Sequence, residues 1–325
     1  MRVHRYLFLL VVTLTVLSAL AHGAVTAEPK KRHFLFSYKV KVKDIPGGEM
    51  KLWIPVAPSN GEQTVKLAKV TAPVPLEPKK EGEYGNSLLF GRVKAPAKEL
   101  EIELQYEVTR IEKKGNLTGS GTIAPASREE LARFLAPDRL VPLNDRIRKL
   151  AAEVTAGKAT PLAKARAIYD YTVDNLSYDK SGTGWGRGDI NYACDLKRGN
   201  CTDFHALLIG LCRASGIPAR FIIGFPIPEG KKEGSIGGYH CWAEFYIEGK
   251  GWIPVDASEA SKNKARKEYY FGNLCENRVE FTLGRDILLK PSQQGEKLNY
   301  FIYPYAELDG KPYDKMERSF TFREV

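Results

Sequence analysis

Histidine is scarce in this chain, five residues in 325, and there is no Cys-x-x-Cys pair and no histidine cluster. A structural zinc site needs several such ligands at close spacing, so none is expected. No acidic loop of the EF-hand type occurs, which argues against that one kind of calcium site. Internal repeats and low-complexity segments are also missing. No nucleic-acid motif accompanies the formal charge of +10. Nucleic acid is therefore not the expected partner. The excess lysine and arginine is spread in short runs such as Lys30–Arg32 and Lys262–Lys267, which read as solvated faces with a weak pull towards anionic surfaces.

Long apolar runs are equally rare. The one substantial run is Tyr6 to Leu20, fifteen residues, short of the roughly twenty that span a bilayer as a helix. It follows Arg2, His4 and Arg5 and precedes Ala21-His22-Gly23 and Val25-Thr26-Ala27, small-residue spacings of the kind a signal peptidase cleaves. Residues 1–27 are thus expected to be a signal peptide, with an uncleaved anchor as the alternative, and the protein to be exported to the periplasm or beyond.

Five cysteines must be read in that oxidising setting: Cys194, Cys201, Cys212, Cys241 and Cys275. An odd number leaves at least one thiol unpaired, as a nucleophile requires. The other four can pair in three ways or remain buried as small apolar side chains.

Two textures divide the chain. From residue 30 to 125 strands dominate: Phe34, Phe36, Tyr38, Val40 and Val42 alternate with mostly polar residues, as does the segment from Glu101 to Val108. Turns such as Pro46-Gly47-Gly48 separate them, and a small antiparallel β-sandwich is expected. From 140 to 285 helices and strands mix. Asn144 and Thr160-Pro161 are helix starts. A glycine-rich loop runs from Ser181 to Gly188 around Trp185, and a helix extends from about Cys201 to Ala214. A hairpin of His240–Ile247 and Gly251–Asp256 follows. Residues 286–325 read as a β extension rich in aromatics. The fold class is α+β.

Cys201 begins a helix, where unpaired N–H groups and the helix dipole favour a thiolate. Its own N–H is a candidate donor to the oxyanion of a tetrahedral intermediate. Gly199-Asn200 allows the sharp turn before it. On the hairpin, His240, Trp242, Glu244 and Tyr246 share one face. A three-residue loop, Glu248 to Lys250, would set Trp242 opposite Asp256 and make His240 the diagonal neighbour of the acid, whereas a two-residue loop would point Asp256 away. In the first register Asp256 would orient His240 as the base for Cys201, the nucleophile–base–orienter logic of acyl transfer. His205, one helical turn after Cys201, is a rival base. Asp203 is expected to bind the helix start or an arginine, and Arg220 to form an ion pair. Trp185 and Trp242 are candidate walls of a substrate cleft or oxyanion donors.

These blocks resemble the transglutaminase-like superfamily. The resemblance rests on Gly199-Asn200-Cys201-Thr202-Asp203-Phe204, Arg213-Ala214-Ser215-Gly216-Ile217-Pro218-Ala219-Arg220, His240-Cys241-Trp242-Ala243-Glu244-Phe245 and Trp252-Ile253-Pro254-Val255-Asp256. It covers about residues 143–258, with the cysteine, histidine and aspartate blocks in order. It implies a papain-like core and thioester chemistry on peptide or protein amides; no cofactor is expected, and the sequence leaves calcium dependence open. Cys201, His240 and Asp256 are the implied triad. Cys241 departs from the small residue that often follows the histidine. Two other outcomes stay open: a binding module of the cell envelope that keeps the fold without chemistry, and a Cys194–Cys201 disulfide acting as a latch.

Overall fold

The computed structural model describes residues 28–94, 97–118 and 125–325. The expected signal peptide, residues 1–27, lies outside the described residues. Among those described, no helix is long and apolar enough to cross a membrane.

The alternating N-terminal segment forms the strand Lys31–Val42, in which Phe34, Phe36, Tyr38, Val40 and Val42 are all buried. Period-two alternation puts each of these on one face of the pleat. This strand sits in a five-stranded antiparallel sheet between Leu100–Ile111 and Met316–Glu324. A second five-stranded sheet is built around Glu49–Pro55, paired with Ser87–Lys94 and with Tyr305–Leu308. Residues from both sheets, among them Tyr38, Val40, Met50, Leu52 and Ile54, belong to one apolar core. The C-terminal residues read as an extension therefore return to the N-terminal part, supplying Met316–Glu324 to the first sheet and Tyr305–Leu308 and Lys311–Pro312 to the second.

The mixed part has a four-stranded antiparallel sheet in the order Gly251–Val255, His240–Ile247, Ala219–Pro226, Arg278–Leu283. The sandwich packs on it through aromatic rings: Phe225 meets Phe320 at 4.3 Å and Phe36 at 5.4 Å between ring centroids. The helix Cys201–Ala214 packs against the strand His240–Ile247 and is surrounded by the helices Asp145–Val154, Pro161–Asn175, Ile190–Leu196 and Ala257–Lys262. All its residues from Cys201 to Arg213 are buried, in keeping with a helix whose apolar residues run around every side. Asn144 and Thr160 cap the two helices that they precede in sequence. The short helix Ile190–Leu196, which no periodic pattern announced, starts on the Asp189 side chain.

Candidate active site

Two sequence features fix where the cysteine helix begins. Asn200 caps it by accepting from Thr202 N–H at 2.9 Å, and Asp203 completes a capping box by accepting from Asn200 N–H at 2.9 Å. Gly199 has φ of +153°, and a Cβ there would collide with the Asp203 carboxylate. The same carboxylate accepts from Gly186 N–H at 2.7 Å and Gly188 N–H at 3.0 Å. Asp203 thus ties the glycine-rich loop to the helix start rather than binding an arginine.

The hairpin fixes the other half. Its loop is Glu248–Lys250, three residues, and the register pairs Ala243 with Val255 and Ile247 with Gly251. Continued one step, that register sets Trp242 opposite Asp256, with His240 diagonal to the acid on the same face. His240 Nε2 and Asp256 Oδ2 are 2.7 Å apart. The remaining ring nitrogen is Nδ1, and Cys201 lies close enough to His240 for each to shift the other's titration. Asn200 and Tyr239, the residues just before the cysteine and the histidine, are joined by a 3.0 Å hydrogen bond from Asn200 Nδ2 to the Tyr239 hydroxyl. The two blocks are therefore locked to each other one residue upstream of their functional groups.

Asp256 is wholly buried and saturated with donors. Besides His240 it accepts from Arg278 Nη1 at 3.1 Å, Ser258 Oγ at 3.0 Å and Glu259 N–H at 3.0 Å. Burial alone would raise its pKa, but His240 and Arg278 hold the carboxyl well below the usual range. Burial likewise pulls His240 down, and the Asp256 charge and hydrogen bond, with Cys201, overcome it and lift it to about 10. Cys201 follows the same logic: burial raises the thiol, while hydrogen bonds from Cys241 and His240 and the His240 charge bring it well below its ordinary value. The two shifts run in the directions that favour a thiolate–imidazolium pair beside the anchored carboxylate.

His205 is placed otherwise. Its Nδ1 is 2.8 Å from the carbonyl of Cys201, and its Nε2 accepts from Ala257 N–H at 3.2 Å. A carbonyl only accepts and an amide N–H only donates, so the ring is the neutral Nδ1–H tautomer. Both nitrogens are occupied by backbone, and burial lowers the pKa. It has no nitrogen free to serve as a base.

Arg220 pairs with the buried Glu244 at 2.6 Å and stacks on Trp252. The indole N–H of Trp185 is taken by Gly182 O of its own loop at 3.2 Å, which aims it into the loop and not at Cys201. Trp242 corrects the reading of a cleft wall: it is fully buried with Ile222 and Leu274, beneath the guanidinium of Arg278 at 4.8 Å. Parity put it on the His240 face, and there Ile222, Leu274 and the Arg278 guanidinium close over it. Sequence reasoning missed Arg278 and Tyr239. Arg278 lies 22 residues beyond Asp256 in an ordinary alternating strand and carries no motif. A polar cavity of about 280 Å³ reaches His240, lined also by Glu229, Glu259, Asn263, Arg266 and Asn277. All five cysteines are free thiols, so no Cys194–Cys201 bridge is formed.

Residues 148–257, which hold the cysteine, histidine and aspartate blocks, match the family model described as the transglutaminase-like superfamily. This part of the chain belongs to that superfamily. The chain is 27% identical to an uncharacterized protein of Haemophilus influenzae, with 87% of each chain covered. It is also 27% identical over 123 residues to the protein-glutamine gamma-glutamyltransferase of Pseudomonas aeruginosa, a match that spans 35% of this chain and 18% of that one. A solved structure from Cytophaga hutchinsonii, provisionally named a cysteine protease, superposes with a TM-score of 0.61 at 17% identity, over 90% of this chain and 92% of that one. At that identity the likeness is one of fold, and it extends over sandwich and superfamily core alike.

Proposed function

We propose that the protein is a thiol enzyme that forms an acyl-enzyme on peptide or protein amides and passes the acyl group to water or to an amine. The observation that carries this reading is the 2.7 Å contact between His240 Nε2 and Asp256, which leaves Nδ1 for a depressed-pKa thiol at a helix start. The Cys201 thiolate attacks the amide carbonyl. The oxyanion so formed is received by the Cys201 N–H, which the Asn200 and Asp203 caps leave alone. Imidazolium Nδ1–H then protonates the departing amine, and the C–N bond breaks to give the thioester. Neutral His240 next takes a proton from water or an incoming amine, and the thioester is resolved with return of the thiolate. Asp256 keeps the ring in the tautomer and orientation that both steps need. Cys201 is 2% exposed, so a substrate carbonyl reaches it only as the surrounding side chains give way. Water is the default acceptor where nothing excludes it, which favours hydrolysis.

Export supports peptide or protein substrates outside the cytosol, and is inferred from Arg2, Arg5 and the apolar run from Tyr6 to Leu20. The positive excess would favour residence near the anionic cell envelope. Intact-mass spectrometry after exposure to a pool of glutamine-containing and unmodified peptides tests the chemistry. A thioester adduct on Cys201, absent from Cys201→Ala, is expected. Failure of every peptide to leave an adduct, with Cys201 alkylated by iodoacetamide no faster than a free cysteine, would return the chain to a binding role.

A further inference from the structure

The thiol of Cys241 has no part in the chemistry above, yet it lies beside Cys201: burial first, and then Cys201 itself, push it well above the usual thiol range and keep it protonated. Both side chains are buried, Cys241 completely. The pair is held from a third side: His205 Nδ1, which bonds the Cys201 carbonyl at 2.8 Å, lies 3.7 Å from Cys241 Sγ. One imidazole on the helix thus pins the backbone of the first cysteine and the sulfur of the second. The pairing is local to these two. Cys194 sits on another helix among Arg146, Asp195 and Lys197, and Cys275 lies against Arg278 at 3.5 Å. Cys212 is a wholly buried thiol pushed up to about 12.

We propose that Cys241 is a resolving cysteine, and that Cys201 and Cys241 form a reversible intramolecular disulfide when a peroxide reaches the site. The chemistry balances as follows. The Cys201 thiolate attacks one oxygen of hydrogen peroxide, the O–O bond breaks, and the departing hydroxide takes the proton of the His240 imidazolium to leave as water. Cys201 is now a sulfenic acid. The Cys241 thiol attacks that sulfur, the S–O bond breaks, and the hydroxyl leaves with the Cys241 proton as a second water. Two sulfurs are each oxidised by one electron and the two peroxide oxygens are reduced. The structure favours each step: a first sulfur whose pKa is depressed, and a second thiol held on the same His205 nitrogen as the first cysteine, placed to resolve it before further oxidation. Peroxide is small enough to enter where a peptide carbonyl is held off. An exported protein would meet such an oxidant without the reducing thiols of the cytosol. The consequence for turnover rests on the proposed acyl-enzyme chemistry, since a disulfide at Cys201 removes its nucleophile; the bond itself can be read without any substrate.

The test is peptide mapping of the full chain after stoichiometric peroxide, with and without later dithiothreitol. The expected wild-type product is two daltons lighter, carries the Cys201 and Cys241 peptides cross-linked, and reverts fully on reduction. Cys241→Ala should instead gain 32 daltons on Cys201, as a sulfinic acid that dithiothreitol does not remove. The wild-type map suffices should that variant fold poorly. Sulfinic or sulfonic Cys201 in the wild type without the cross-linked pair, or a bridge joining Cys201 to another cysteine, overturns the proposal. A Cys201–Cys241 bridge in a protein that never forms an acyl adduct would leave this inference standing and defeat the enzymatic one.

Discussion

The strand His240–Ile247 and the helix Cys201–Ala214 each present a buried imidazole to Asp256, at 2.7 Å from His240 and 3.9 Å from His205. Burial pulls both rings down, yet the two are shifted in opposite directions. His240 meets a carboxylate on one side and an ionisable thiol on the other, so its cationic form is stabilised. His205 meets a carbonyl and an amide N–H, a donor–acceptor pair that fits only the neutral ring. Residue type and burial are therefore poor guides to protonation. The partners of the two ring nitrogens decide it.

Removing the shared carboxylate should break this contrast most severely. Asp256→Asn leaves His240 without its anion and able to settle in the wrong tautomer, and is expected to slow acyl-enzyme formation by on the order of 10⁴-fold. Alkylation of Cys201 against pH gives an independent readout. In the wild type the thiolate persists well below the ordinary thiol range, so the rate should stay level through neutral pH and fall only in acid. In the variant it should climb with pH as for a free cysteine, near 8.5. An unchanged level profile would mean that Asp256 does not govern the pair. The signs for stability are distinct. The folded Asp256 is depressed, so its contribution is complete above the unfolded carboxyl range and is lost as acid titrates the folded group. The folded His240 is raised, so its contribution is complete below about 6.5 and is lost as pH rises through about 10.

Arg278 comes next. Arg278→Met removes the buried cation that holds Asp256 from the strand side, and also its contacts with Cys275 and Trp242. Breaking a buried pair from one side typically costs about 3–5 kcal/mol. A urea midpoint should report a loss in that range. A loss below about 1 kcal/mol would show that the other donors to Asp256 suffice alone.

The two halves of this anchor differ in how far the sequence announces them. Cys201, His240 and Asp256 lie in dense local blocks, and hairpin parity turns the last two into a geometric requirement that the Glu248–Lys250 loop meets. The sandwich strand Lys31–Val42 was readable for a similar reason, since period-two alternation is a local signal. Arg278 was not, because a charged residue in an alternating strand ordinarily faces solvent, and only the pairing of distant strands turns it inward. The same holds for Met316–Glu324, whose place beside Lys31–Val42 depends on contacts across most of the chain. Trp242 shows the limit of parity: it assigns a face, and what covers that face is tertiary.

His205 offers the smallest effect on the pH profile of Cys201 and the sharpest separation of roles. As a positioning residue it acts through the carbonyl of Cys201 and the N–H of Ala257, which follows Asp256 directly. His205→Leu leaves both backbone groups buried and unmet, at a cost of about 1–3 kcal/mol each. His205→Asn keeps a short donor for the Cys201 carbonyl. Loss of stability alone would follow from any buried polar residue. Positioning predicts more: alkylation of Cys201 should lose its level profile in the leucine variant, with the acid limb moving towards neutral pH, and recover most of it in the asparagine variant. The limb should not reach that of Asp256→Asn, because Asp256 and His240 remain paired through their own hydrogen bond. Leucine and asparagine variants that lose stability with identical, wild-type pH profiles would reduce His205 to a structural clamp.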